Sequence, residues 1–202
     1  MQITKIGHSC LLVEDKKRIL IDPGNFVFMD GSVRPEQFRD IDIVLLTHEH
    51  ADHTFPEALK VIVKNNSPKV VCNAGVGTVL DANRIPWMSR TTGVRMIECR
   101  HGTLPDPLPT PQNTGFVIGK LFHPGDSLWP GEDIHSEILA LPIVAPWASM
   151  KEVLDWARQM RPHMIIPIHD GFPDYLDFAR GFVRRVWPEA PLQGLDGKPI
   201  NV

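Results

Sequence analysis

The sequence predicts an α/β fold, and three observations carry the prediction. Ile41-Asp42-Ile43-Val44-Leu45-Leu46 is a short apolar run rich in β-branched residues, the pattern of a buried strand. From Phe55 to Asn66, apolar residues at 55, 58, 59, 62 and 63 fit one face of a helix. Between them stands Thr47-His48-Glu49-His50-Ala51-Asp52-His53, a loop at the carboxyl end of a strand, where open α/β sheets build their sites. Three imidazoles and the Asp52 carboxylate between His48 and His53 are costly to crowd together on a plain surface loop, so these four residues are candidate metal ligands. A helical H-E-x-x-H zinc site is excluded, because its second His would fall at Asp52.

Length and composition bound the rest. A chain of 202 residues is expected to form one domain, 1–202, with a substantial core. The net charge of −3 leaves no global basic footprint, so nucleic acid is not an expected partner. No apolar run reaches the ~18 residues of a membrane helix, and Met1-Gln2-Ile3-Thr4-Lys5 lacks a secretion-signal pattern. Three scattered cysteines, Cys10, Cys72 and Cys99, suit a reducing cytoplasm better than a disulfide framework. The expected partner is a small-molecule substrate, with a homo-oligomer left open. The 19 prolines, beside 43% hydrophobic residues, point to rigid loops between short elements rather than to disorder.

The remaining elements follow in order. Ile3 to Gly7, Cys10 to Glu14 and Arg18 to Asp22 read as strands, the last two turning at Asp15-Lys16-Lys17. Residues 24–40 read as a loop whose Phe26 and Phe28 serve either as pocket walls or as core. Lys69 to Asn73 reads as a strand and Val76 to Asn83 as a helix. Gly75-Val76-Gly77 is not a dinucleotide fingerprint, because Leu80 takes the third glycine's place. Gly93 to Cys99 is a strand that delivers His101, and Asn113–Ile118 with Lys120–His123 form a hairpin about Gly119. Ile138 to Val144 is a strand interrupted by Pro142, and Ser149-Met150-Lys151-Glu152 is a capping box that opens a helix through Met160. Met164 to Ile168 is the last core strand and ends in His169-Asp170-Gly171; a terminal helix runs from Asp174 to Trp187 with Arg180, Arg184 and Arg185 outward.

His48-x-His50-x-Asp52-His53 resembles the signature of the metallo-β-lactamase superfamily of metal-dependent hydrolases. Gly125-Asp126 resembles that superfamily's Gly-Asp pair, and the resemblance extends over nearly the whole chain. Leu-Pro-Ile-x-Ala-Pro-Trp at 141–147 and Pro-Ile-His-Asp at 167–170 resemble one bacterial branch of small hydrolases, related to the sugar-lactonase-like proteins. The resemblance implies an αββα sandwich of two mixed β-sheets with helices outside. It also implies two divalent metal ions, zinc first, with manganese or iron as alternatives. One ion would take His48, His50 and His101; the other would take Asp52, His53 and His169; Asp126 would bridge them. His123 rivals His101 as the third ligand of the first ion. Asp22 is expected beneath the ligands, orienting one of them, unless it only turns the chain before Pro23-Gly24. Gly7-His8-Ser9 resembles the Gly-His-Ser/Ala stretch of one subgroup, which implies that His8 faces the active site, with a structural core histidine as the alternative.

The chemistry so implied is attack by metal-activated hydroxide on a small ester, lactone, amide or phosphoester, with Asp52, His8 and Asp22 as candidate catalytic residues. Asp126 stands where the best-known β-lactamases carry Cys, which disfavours antibiotic hydrolysis. An iron-dependent oxidoreductase of the persulfide dioxygenase type is the rival from another class, and a phosphodiesterase or nuclease on the same fold is a third reading. Trp129 and Trp147 are further candidate pocket walls, while Arg84, Arg90, Arg95 and Arg100 either attract an anionic group or are solvated loop charges.

Overall fold

The run from Ile43 to Leu46 is buried on both faces because two layers cover it. Ile43 and Leu45 face the inter-sheet core, while Val44 and Leu46 face the helices behind the sheet. A continuous apolar strand is what such a position requires. The protein is seen here as a computed structural model that describes residues 1–171, 173–193 and 197–202, with the backbone alone at 173–176 and 178.

The first half of the chain supplies β1 (Gln2–Gly7), β2 (Cys10–Glu14), β3 (Arg18–Ile21), β4 (Ile43–Leu46), α1 (Pro56–Asn66), β5 (Lys69–Cys72) and α2 (Ala74–Ala82). The second half supplies β6 (Arg95–Arg100), β7 (Thr114–Ile118), β8 (Leu121–His123), β9 (Trp129–Pro130), β10 (Ile138–Pro142), α3 (Met150–Met160), β11 (Met164–Ile168), α4 (Pro173–Val186) and β12 (Ile200–Asn201). They form two sheets of the orders β12-β1-β2-β3-β4-β5 and β11-β10-β8-β7-β6-β9. Both sheets are mixed: β3, β4 and β5 pair in parallel beside antiparallel β1 and β2, and β8, β10 and β11 pair in parallel beside an antiparallel edge.

Ile3, Leu11, Ile21 and Leu45 of one sheet meet Phe116, Ile138, Ile166 and Ile168 of the other in the central core. Outside the first sheet, Leu59 and Ile62 of α1 and Val76 and Leu80 of α2 cover Leu20, Val44 and Val70. Outside the second, Val153, Trp156 and Ala157 of α3 cover Leu139, Leu141 and Ile165. The layers are thus α/β/β/α. The expected capping box is present on α3: Ser149 Oγ accepts from Glu152 N, and the Glu152 carboxylate accepts from Ser149 N at 2.8 Å.

β9 and β12, each two residues long, are too short to show a period and gave no sequence signal; β12 exists because β1 offers an edge, with Gln2 opposite Asn201. Of the two roles open to Phe28 the core one holds, since its ring packs against Phe38 and Phe55. The strand expected through Val144 stops at Pro142. Among the described residues no helix is long and apolar enough to cross a membrane.

The cysteines Cys10, Cys72 and Cys99 are free and buried. Burial pushes the Cys72 and Cys99 thiols up to about 12, and raises Cys10 well above its ordinary value. Thiolate is the reactive species, so iodoacetamide at pH 8 should label none of the three in the folded protein and all of them in guanidinium. Rapid native labelling of any would contradict this packing.

Candidate metal centre

The site-bearing strands of each sheet run in one direction, some paired in parallel and β1 and β6 each set off from the others by one antiparallel strand, so their carboxyl ends reach one edge of the sandwich. His8 follows β1, Asp22 follows β3, the His48–His53 loop follows β4, His101 follows β6, Asp126 lies just past β8 and His169 follows β11. Three of these residues hold left-handed backbone that is costly for a side chain: His8 (φ 47°), Asp22 (φ 45°) and His169 (φ 54°). Such strain gathers at functional sites, where the surrounding structure holds it.

The histidine loop is tied down through Thr47. Thr47 N and Oγ1 donate to the two oxygens of Asp22 at 2.8 and 2.7 Å. With its proton committed to Asp22, Thr47 Oγ1 accepts from His48 Nδ1 at 3.0 Å. His53 Nδ1 donates to Asp22 Oδ2 at 2.8 Å. His101 Nδ1 donates to the carbonyl of Gly102 at 2.7 Å, and His169 Nδ1 donates to the carbonyl of Val144 at 2.6 Å. In its neutral form each of these four rings therefore keeps its proton on Nδ1, turned outward to oxygen, and its lone pair on Nε2, turned inward. A ligand imidazole is prepared in this way.

The inward atoms meet around two carboxylates. Asp126 Oδ1 lies 3.1 Å from His53 Nε2, and Asp126 Oδ2 lies 3.0 Å from His169 Nε2, 3.6 Å from His101 Nε2 and 3.9 Å from His48 Nε2. His48 Nε2 is 3.0 Å from His50 Nδ1. Two clusters result, each with its potential ligand atoms within 4.8 Å of one another: His48, His50, His101 and Asp126, and His8, Asp52, His53 and His169. His53 Nε2, His101 Nε2 and Asp126 Oδ1 are buried with no hydrogen-bond partner among the described residues. Buried polar atoms are rarely left so, and a cation at these clusters would satisfy all three. The residues fit a metal centre.

The rival histidine is accounted for otherwise. His123 Nε2 donates to the carbonyl of Ser9 at 3.0 Å, and its Nδ1 accepts from Gly125 N at 3.2 Å. Both ring nitrogens are spent on backbone, so His123 has no lone pair to offer.

The sequence profile described as the beta-lactamase superfamily domain matches residues 2–169. The chain belongs to that superfamily. Rv0786c of Mycobacterium tuberculosis is 32% identical over 200 residues, spanning 90% of this chain and 88% of its own. A UPF0173 metal-dependent hydrolase of Pyrococcus abyssi, PYRAB05000, is 26% identical over 196 residues, spanning 84% of each chain. Among solved structures, the metallo-β-lactamase fold protein YhfI of Bacillus subtilis superposes with a TM-score of 0.62 at 15% identity over 98% of each chain.

Some parts of this metallo-β-lactamase superfamily site gave no signal in sequence. Asn113 donates to the carbonyls of Cys99 and Pro124 and accepts from Asp126 N, so one amide fixes the approach to the Gly125-Asp126 turn. Trp147, read only as a wall, donates its indole N–H to Asp126 Oδ2 at 3.2 Å. Phe26 does lie at the site, edge-on to His8 with centroids 4.9 Å apart. Arg95 pairs with Glu132, and Arg100 stacks over Trp129.

Electrostatics divide the imidazoles of the metal-free protein. Burial lowers His8, His48, His101 and His123. Burial also opposes charge on His53 and His169, but Asp126 outweighs it in both, joined by Asp22 at His53, and both are raised. Asp126 is held well below the carboxylate range, because His169 and His53 overcome the burial that would raise it. Below about pH 6.5 the unfolded chain takes up protons that the lowered histidines refuse in the fold, so stability falls as pH drops. Above that value the fold keeps protons on His53 and His169 that the unfolded chain has released, so their contribution is lost as pH rises. Thermal unfolding of metal-free protein should therefore peak near pH ~6.5, the unfolded histidine value. A melting temperature that climbs steadily to pH 9 would contradict these directions.

Proposed function

We propose that the protein is a two-ion member of this family of metal-dependent hydrolases, acting on a small ester, lactone, amide or phosphoester. His48, His50 and His101 would hold one divalent ion, Asp52, His53 and His169 the other, and Asp126 both. The reading rests above all on the four rings whose Nδ1 protons are tied outward, leaving Nε2 lone pairs convergent on Asp126. Zinc suits an imidazole-rich set and manganese or iron are the alternatives. Bound ions would supply Lewis acidity and lower the pKa of a water at the site by many units. The chain itself contributes orientation. Asp22 and Thr47 hold the His53 and His48 rings, Trp147 donates a hydrogen bond to Asp126, and Phe26 walls the His8 side. The free buried cysteines agree with a cytoplasmic setting.

The test is metal analysis of purified protein, followed by lactones, phosphodiesters and thioesters offered to zinc-, manganese- and iron-loaded samples. About two ions per chain and hydrolysis of at least one class are expected. Fewer than two ions would end the two-ion reading. Thiol-dependent oxygen uptake by the iron form, with no hydrolysis, would replace the hydrolase by an oxidoreductase.

A further inference from the structure

We propose that His8 is a positioning residue for the second ligand set: its Nε2–H donates to Asp52 and holds that carboxylate, and it gives no lone pair to an ion. The inference rests on the two-ion reading and adds to it a role for a side chain that proximity alone would count as a ligand. His8 shares a cluster with Asp52, His53 and His169, and distance does not separate its part from theirs. Hydrogen bonds do. Gly171 N lies 3.1 Å from His8 Nδ1, and a backbone N–H can only donate. Nδ1 is therefore the lone-pair nitrogen, and the proton of the neutral ring is on Nε2, 3.0 Å from Asp52 Oδ2. This is the reverse of His48, His53, His101 and His169, whose Nδ1 protons point away from the site. A protonated nitrogen cannot ligate.

The ring is built to stay there. His8 is 4% exposed, and it lies between Phe26 and His169, with centroids 4.9 and 4.5 Å from its own. The Gly171 amide is fixed in turn, because Asp170 forms a buried ion pair with Lys5 of β1, on the strand that leads into His8. The line Lys5, Asp170, Gly171, His8 therefore starts and ends on one short segment of chain. At its far end Asp52 depends on it: among the described residues, the one hydrogen bond to the Asp52 side chain comes from His8. The oxygen that receives it is 3.7 Å from His169 Nε2 and 3.9 Å from His53 Nε2, so it faces the second set. A donor on that oxygen selects one rotamer of a half-buried carboxylate and draws charge from it, as partners behind metal ligands do.

The full-length protein, labelled with 15N at histidine, provides the test. Long-range proton–nitrogen spectra of the metal-free protein should place the His8 proton on Nε2; a proton on Nδ1 overturns the proposal whatever the number of ions bound. After loading with cadmium-113, metal–nitrogen coupling is expected at His53 and His169 and absent at His8. Coupling at His8 would make it a ligand. His8→Ala should weaken the second ion by about 10- to 100-fold in chelator competition, with the first ion unchanged. His8→Gln, whose amide can donate, should recover much of that loss. Equal affinity in wild type and His8→Ala would overturn the proposal, and the wild-type spectra decide it if the variants do not fold. A wild type that binds one ion fails the two-ion reading instead, and the tautomer still stands or falls by the metal-free spectrum.

Discussion

Asp126→Asn should leave the sandwich folded, drop metal content below two ions and cut hydrolysis at least ~1,000-fold, about 4 kcal/mol in the barrier. The reason is the crowding around one carboxylate. Its two oxygens lie between 3.0 and 3.9 Å from the Nε2 atoms of His169, His53, His101 and His48, which come from three separate stretches of chain. Asparagine keeps the shape and removes the charge. It also turns an N–H pair toward lone pairs that were facing oxygen. Two cations would then sit close together with no anion between them, and the weaker one should leave. Trp147, which donates to Asp126 Oδ2, loses a charged acceptor but remains packed against Gly102. Far-ultraviolet circular dichroism should match wild type. Two tightly held ions and full turnover in Asp126→Asn would refute the bridging role.

The fold was largely readable because both faces of its core strands are covered. Ile43 to Leu46, Ile138 to Pro142 and Met164 to Ile168 are continuous apolar runs for that reason. The Ser149–Glu152 cap was readable because its chemistry is local, between residues three positions apart. What the sequence left open depends on contacts far apart along the chain. His123 is told from His101 by the carbonyl of Ser9, 114 residues away. His8 is told from a ligand by the amide of Gly171, 163 residues away. No periodicity or spacing reports which ring nitrogen holds the proton. Phe26 and Phe28, two positions apart, take opposite fates, one against His8 and the other in the core with Phe38 and Phe55. Such a division is fixed by what the other layers place beside each ring.

Gly24→Ala should be the most damaging small substitution outside the ligands, although the residue reads as an ordinary turn glycine. Its backbone is extended, with φ −77° and ψ 174°, so the demand is for space and not for conformation. A Cβ there would lie 1.8 Å from Asp52 O, 1.9 Å from Asp52 C and 2.5 Å from His53 N, all backbone atoms. Neither side can yield cheaply. If the turn moves, it takes Asp22 from His53 Nδ1 and from both Thr47 donors. If the loop moves, it strains the bonds from Asn25 N to Ala51 O and from Thr54 Oγ1 to His48 O. Overpacking against fixed backbone costs on the order of 3 kcal/mol, which lowers the melting temperature by about 10 °C in a domain of this size. The metal binding should fail unevenly, because Asp52 and His53 are the residues displaced: the second ion weakens before the first. Gly181→Ala in α4 is the control, since a Cβ there meets nothing within 4 Å and a helical alanine should add about 0.5–1 kcal/mol. A Gly24→Ala protein as stable as wild type, with both ions held equally, would mean that the turn after β3 does not support the metal loop.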